Sequence, residues 1–209
     1  MIIKWLGHSC FKIQVESQSV IIDPYADGSV AGYDDLREEA NIVLCSHLHK
    51  DHCGTECVKL VDSKYDSPFK IETMDSFHDD KKGKLRGDNI IHILTVQDYY
   101  KVVHLGDLGH MLTEEQISKI KDCHVLMIPV GGYYTINAKQ ASELVKQISP
   151  KITIPMHYRD GNLGYDVLGT VDDFTKYFEK VLYLASDSIE YSDELDGEIV
   201  VLDYNSNNK

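Results

Sequence analysis

Positive charge is scarce in this chain. Lysine and arginine number 21 against 34 aspartates and glutamates, a formal net charge of −13. A nucleic-acid surface needs a basic stripe, so no nucleic-acid partner is expected. Cysteine is scarce as well, and odd in number: Cys10, Cys45, Cys53, Cys57 and Cys123. No C-x-x-C pair occurs, which speaks against a disulfide framework or a four-cysteine zinc site and suits a reducing cytoplasm. Cys53 and Cys57 read as small packing residues that could share a helix face. No apolar run approaches the length of a membrane span, and residues 1–5 show no secretion pattern. The expectation is a cytoplasmic protein without a membrane partner. Hydrophobic residues at 43% and charged residues at 26% of 209 describe a globular chain rather than a disordered one. One domain over residues 1–204 with a frayed tail at 205–209 is expected.

What the chain has in excess is histidine at one place. Ser46-His47-Leu48-His49-Lys50-Asp51-His52 sets three imidazoles and one carboxylate within six positions. These are ligand types that suit zinc, manganese and iron. Residues 41–45 before the cluster read as a buried strand, and residues 56–61 after it read as a helix. On such a turn His47 and His49 can point to one position while Asp51 and His52 point to a second. Four ligands this close strain around one ion, so a split between two ions is the simpler geometry. Left without metal, the cluster would cost desolvation free energy at the end of a core strand.

Three further candidates share one feature. Each follows an apolar strand directly and precedes a loop, where a rigid scaffold presents chemistry. His78 follows the strand read over 69–77, Asp107 the strand over 101–105, and His157 the strand over 152–156. Other strands are read at 2–6, 10–16, 20–23, 89–96, 125–130, 181–185, 188–192 and 198–203, with Gln97-Asp98 as a hairpin turn. Helices are expected from the capping patterns Thr113-x-x-Gln116 and Asn137-x-x-Gln140, the second with Ala141, Leu144, Val145 and Ile148 on one face. A helical turn at 34–39 and a helix capped by Thr170 and running through Phe178 complete the reading. Two sets of strands, each followed by helices, suit two facing sheets with helices outside, and a single mixed sheet fits the pattern equally. His92 and His104 lie in strand interiors and read as packed structural residues. His8 reads as a residue of the site mouth or as a turn cap.

The H-x-H-x-D-H cluster, followed by a lone His, a Gly-Asp turn and a His after a strand, resembles the metallo-β-lactamase superfamily. The phrases Gly7-His8-Ser9-Cys10-Phe11, Ile22-Asp23-Pro24, His104-Leu105-Gly106-Asp107-Leu108-Gly109, Pro129-Val130-Gly131-Gly132 and Pro155-Met156-His157-Tyr158 look like its small metal-dependent hydrolases, the subgroup that includes the L-ascorbate phosphate lactonases. The resemblance implies an α/β protein, a four-layer αββα sandwich of two mixed β-sheets with helices on the outer faces. It implies two divalent metal ions, zinc or manganese ahead of iron. His47, His49 and His78 would hold the first, Asp51, His52 and His157 the second, and Asp107 would bridge both. It gives Asp23 a hydrogen bond to the metal-binding loop; a simple turn-former is the competing reading.

Two cations sharing a water lower its pKa enough to give hydroxide near neutral pH, which attacks an ester, lactone or phosphodiester of a small substrate. Asp107 would orient that water and Asp51 accept its proton. His8, Tyr133, Tyr158 and the metal-bound water itself are all candidates to protonate the leaving group. The β-lactamases of this fold use Cys where Asp107 stands, its tRNA-processing nucleases carry a basic arm, and its diiron oxygen reductases favour Glu at the position of His49. None of these patterns is present. A metal-binding redox or sensor protein of the same fold, without turnover, is the alternative. Residues 81–86 add four cations, Lys81, Lys82, Lys84 and Arg86. If His78 is a ligand this run begins at the site, and Arg86 could grip a substrate phosphate or carboxylate; a solvated charge run is the competing reading. A homo-oligomer is allowed and not required.

Overall fold

The computed structural model describes residues 1–204; the expected tail at 205–209 lies outside them. In chain order the first strands are β1 (Ile2–Gly7), β2 (Cys10–Val15), β3 (Gln18–Ile22), β4 (Glu38–Ala40), β5 (Ile42–Leu44) and β6 (Val58–Leu60). A long antiparallel ribbon follows, β7 (Phe69–Phe77), β8 (Asp88–Val96) and β9 (Tyr100–His104). Strands and helices then alternate through α1 (Glu114–Ile120), β10 (Val125–Pro129), α2 (Ala138–Ile148), β11 (Ile152–Met156) and α3 (Asp172–Thr175). The chain closes with β12 (Val181–Tyr183), β13 (Ser188–Glu190) and β14 (Glu198–Val201).

Two mixed sheets result, and the architecture is the expected α/β sandwich. One has the order β13-β1-β2-β3-β5, the other β12-β14-β11-β10-β9-β8-β7. β10 and β11 are buried at every position, as parallel strands covered on both faces must be, which is why 125–129 and 152–156 are continuous apolar runs. Both capping boxes form. The Thr113 hydroxyl accepts from Gln116 N and the Asn137 side chain from Gln140 N, while each Gln reaches back to the cap. α2 buries Ala141, Leu144, Val145 and Ile148 together. The two sheets share one apolar core, in which Ile3, Phe11, Ile13 and Ile22 meet Ile91, Val102, Leu126 and Ile154. Among the described residues no helix is long and apolar enough to cross a membrane.

Three local expectations are corrected. The helix read at 56–61 is a 3₁₀ turn, Thr55–Cys57, followed by β6. The helical turn read at 34–39 gives way to β4, which pairs in parallel with β6 through Glu38↔Val58 and Ala40↔Leu60. That pairing buries Ala40 and Val58 and sets Lys59 Nζ 2.6 Å from Glu39 Oε1. It is a tertiary match, absent from any local window. Cys53 and Cys57 therefore share no helix, and all five cysteines are free. The helix beyond Thr170 is only four residues long, ending at Thr175.

β3 runs parallel to β5, while β9, β10 and β11 are mutually parallel and β7 lies two antiparallel steps from β9. The carboxyl ends of β5, β7, β9 and β11 consequently feed loops at one edge of the sandwich, and the seven expected ligands each follow one of these ends, while His8 follows β1. The His104 ring, at the end of β9, bonds the Ser9 carbonyl at 2.9 Å and ties the β1–β2 turn to the second sheet.

Candidate metal centre

Eight polar side chains converge at that edge. The ligating atoms of His47, His49 and His78 lie within 4.8 Å of one another, and so do those of His8, Asp51, His52 and His157. A third group, His47, His52 and Asp107, joins the first two. All eight residues singled out in the sequence thus come together, and His8 falls in the second group rather than at the mouth.

Asp107 is the hinge of the arrangement. Its Oδ2 lies 3.2 Å from His52 Nε2, 3.2 Å from His78 Nε2 and 3.1 Å from His157 Nε2. Burial acts against its charge, but the imidazoles of His157 and His52 outweigh that and hold the carboxyl well below the usual carboxylate range. Asn89 fixes the main chain here: its amide oxygen accepts from Asp107 N at 2.9 Å while its nitrogen donates to Leu105 O and Ser76 Oγ. Gly106 has φ +56°, and a Cβ on it would run into Ser46 and the Asn89 side chain. Asn89 was not legible as a site residue, since an Asn inside a strand pattern gives no functional signal.

Asp23 supports the cluster from behind. Its Oδ1 accepts from Ser46 N at 2.6 Å, and its Oδ2 from Ser46 Oγ at 2.7 Å and His52 Nδ1 at 2.8 Å. With the Nδ1 proton given to Asp23, the Nε2 lone pair of His52 faces the Asp107 carboxylate. At 3.2 Å the pair needs a proton or a metal cation between them. Without metal, burial is outweighed by Asp107 and Asp23, which hold the His52 ring well above the usual imidazole range, and a divalent ion would take the place of that proton. The need for a partner extends to the other rings: His47 Nε2, His52 Nε2 and both ring nitrogens of His157 are buried without a hydrogen-bond partner, as is Asp107 Oδ1. Burial holds the imidazole of His8 down to about 4 and that of His47 to about 3, so both are neutral at neutral pH, the form in which imidazole binds metal. The donor set of imidazoles and carboxylates fits divalent ions of the zinc, manganese and iron type.

Backbone conformation aims several of these groups. His8, Asp23 and His157 all have φ near +53°, at 52°, 53° and 53°. Such left-handed residues cost free energy and persist where the surroundings fix them. Here the His8 carbonyl accepts from Trp5 Nε1 at 3.0 Å and from His157 N at 3.3 Å, locking the two turns together.

The centre opens into a cavity of about 380 Å³ lined by His49, Asp51, His78, Leu85, Arg86, Tyr134, His157 and Tyr165. Tyr165 was not anticipated. It lies in a loop without periodicity, yet its hydroxyl sits 3.2 Å from Asp51 Oδ2 and 3.1 Å from Ser29 O. Of the two tyrosines considered as proton donors, Tyr133 is exposed and Tyr158 is buried against the Trp5 ring, with centroids 5.6 Å apart. Neither lines the cavity. A larger groove of about 1020 Å³ runs between β7 and α1, but its walls gather no such cluster.

The loop after His78 is no loose charge run. The buried Asp79 carboxylate accepts from the main-chain nitrogens of Lys81, Gly83, Leu85 and Arg86 at 2.7, 3.0, 2.9 and 2.8 Å. Burial would raise its pKa, but these four N–H groups pull it down to about 2. Lys81, Lys82 and Lys84 are exposed and stay out of the cavity, which Leu85 and Arg86 enter.

Residues 2–157 match the family model described as a beta-lactamase superfamily domain. The chain is 30% identical over 182 residues to a UPF0173 protein of Pyrococcus abyssi, covering 76% of this chain and 83% of that one. It is 27% identical to a UPF0173 metal-dependent hydrolase of Staphylothermus marinus, covering 85% and 91%. A solved structure from Thermotoga maritima, described within the metallo-beta-lactamase superfamily, superposes with a TM-score of 0.73 at 32% identity, covering 96% of this chain and 97% of that one. A sandwich of two mixed sheets with a His- and Asp-rich edge and kinship over most of its length lead to one assignment: the chain belongs to the beta-lactamase superfamily, among its metal-dependent hydrolases.

Proposed function

We propose that the protein hydrolyses an ester, lactone or phosphodiester bond in a small substrate with two divalent ions, zinc or manganese ahead of iron. The observation that carries this reading is the single oxygen, Asp107 Oδ2, set within 3.2 Å of three histidine nitrogens. In it, His47, His49 and His78 would hold one ion and Asp51, His52 and His157 the other, with His8 near the second group and Asp107 between the two. When bound, such ions acidify a water and stabilise the oxyanion that develops on the substrate.

The chain's own residues supply the rest. Asp51, half-buried at the cavity wall, accepts the proton released as the bond forms. The Tyr165 hydroxyl has one proton to share between Asp51 Oδ2 and the Ser29 carbonyl, and turned to Asp51 it keeps that carboxylate oriented toward the cavity. Burial, with the Asp51 charge beside it, pushes the Tyr165 phenol up, so it stays protonated at neutral pH and remains a donor. His8 Nε2 lies 3.5 Å from the same Asp51 oxygen. Asp23 sets the tautomer of His52 through Nδ1. Five free cysteines support a cytoplasmic, reducing location.

Metal analysis of reconstituted protein, followed by a screen of esters, lactones and phosphodiesters with zinc or manganese, tests the reading. Close to two ions per chain and metal-dependent turnover are expected. A firm value near zero ions sinks it, and two ions without turnover on any class favours a sensor.

A further inference from the structure

Among the described residues the cavity at the candidate metal centre is lined by one lysine or arginine, Arg86, and that cation has no acidic partner. The chain has 34 acidic residues, and Arg37 shows the usual outcome, pairing with Asp27 and Asp35 at 2.8 and 3.2 Å. Among the described residues Arg86 forms no ion pair. Its Nη2 donates to the Tyr133 carbonyl at 3.2 Å, and its guanidinium carbon lies 5.6 Å from the centre of the Tyr134 ring. These contacts orient the group without neutralising it. The loop beneath is held by the four bonds to Asp79, so the guanidinium is presented by a fixed backbone rather than a solvated one. The remaining wall is apolar and aromatic. Leu85 is exposed, and the rings of Tyr134 and Tyr165 meet with centroids 5.9 Å apart.

We propose that Arg86 is the anion-binding group of the substrate cavity. The substrate class is then a small molecule carrying a carboxylate or phosphate away from the scissile bond, with an apolar or planar body against Tyr134 and Tyr165. This rests on the hydrolase reading for the word substrate, but the anion site stands on its own geometry. A guanidinium grips carboxylate and phosphate through paired N–H donors, and Arg86 keeps most of its donors for that purpose. A cavity of about 380 Å³ is of a size that suits a small molecule. Lys81, Lys82 and Lys84, outside the cavity, serve solubility.

A matched pair of chromogenic esters tests the site in the full chain loaded with metal: 4-nitrophenyl acetate, which is neutral, and 4-nitrophenyl hemisuccinate, which carries a remote carboxylate. Arg86→Ala should lower kcat/KM for the hemisuccinate by about 10–100-fold, mostly through KM, since a bond to a charged group is of that size. Acetate should change by less than about twofold, and Arg86→Lys should restore part of the loss. Equal losses on both esters would overturn the proposal. Calorimetric binding of phenyl phosphate reads the same site without turnover: Arg86→Ala should weaken it about tenfold or more at unchanged metal content. An unchanged affinity overturns the anion site. Intact, Arg86-dependent phenyl phosphate binding with no turnover of esters, lactones or phosphodiesters would strike the hydrolase reading and leave the anion site standing.

Discussion

Two loops enter the centre from different sheets, and each is pinned by a buried aspartate. The turn after β5 hangs on Asp23, and the loop after β7 hangs on Asp79. Asp23 spends its oxygens on the Ser46 backbone and hydroxyl and on the ring of His52. Asp79 spends both on four backbone N–H groups and touches no candidate ligand ring. The same residue type thus does two jobs. One aspartate reaches through to the electronic state of a ligand, while the other only shapes the wall that carries Arg86. Buried position alone says little about function; what the carboxylate touches decides it.

Four substitutions break or sharpen that contrast, in descending size of effect. Asp107→Asn removes the charge on which both loops converge, through His52 and His78. Activity should fall by more than about 100-fold, beyond the ordinary cost of an outer partner, while the metal-free protein keeps its fold by circular dichroism. Equal activity would move the bridge elsewhere. If the site holds two ions as proposed, His157→Ala should lose the one assigned to Asp51 and His52 before the one assigned to His49 and His78, read as loss of close to one metal per chain. A variant with both ions and full turnover would refute that split. For Asp23→Asn, an amide can present an N–H to His52 Nδ1 and force the ring proton to Nε2. Metal affinity should then fall about 10–100-fold. Asp79→Asn should leave metal content alone, lower stability by about 1–3 kcal/mol as backbone donors lose their acceptor, and raise KM for an anionic ester only. If Asp79→Asn cost metal as heavily as Asp23→Asn, the two aspartates would not differ as described.

The features legible in the sequence were those set by local rules. His78, Asp107 and His157 could be picked out because each ends an apolar strand, and the boxes at Thr113 and Asn137 close over three residues. The elements missed are those decided by distant partners. Residues 58–60 form a strand because 38–40 lie beside them, and nothing within either segment announces the other. Tyr165 matters because its loop folds onto Ser29 and Asp51; His8 was named from the sequence, but its burial against His157 on a left-handed turn was not. Asp79 was hidden by its neighbours: Asp79-Asp80-Lys81-Lys82 looks like solvated charge until the four N–H bonds are seen.

The spacing of the proposed ligands carries a consequence for how the protein is made. His47, His49, Asp51 and His52 are complete within six positions, whereas His157 arrives much later in the chain. At about 5–20 residues per second of synthesis, the interval between them is roughly 5–20 s. For those seconds the nascent cluster meets the metals of its compartment with no cage around it. We expect metal identity in the cell to follow availability during synthesis more closely than the preference of the finished site. Protein made in zinc-rich or manganese-rich medium should then carry the supplied ion, and differ from protein folded first and offered both. Identical metal content by either route would show that the closed site makes the choice.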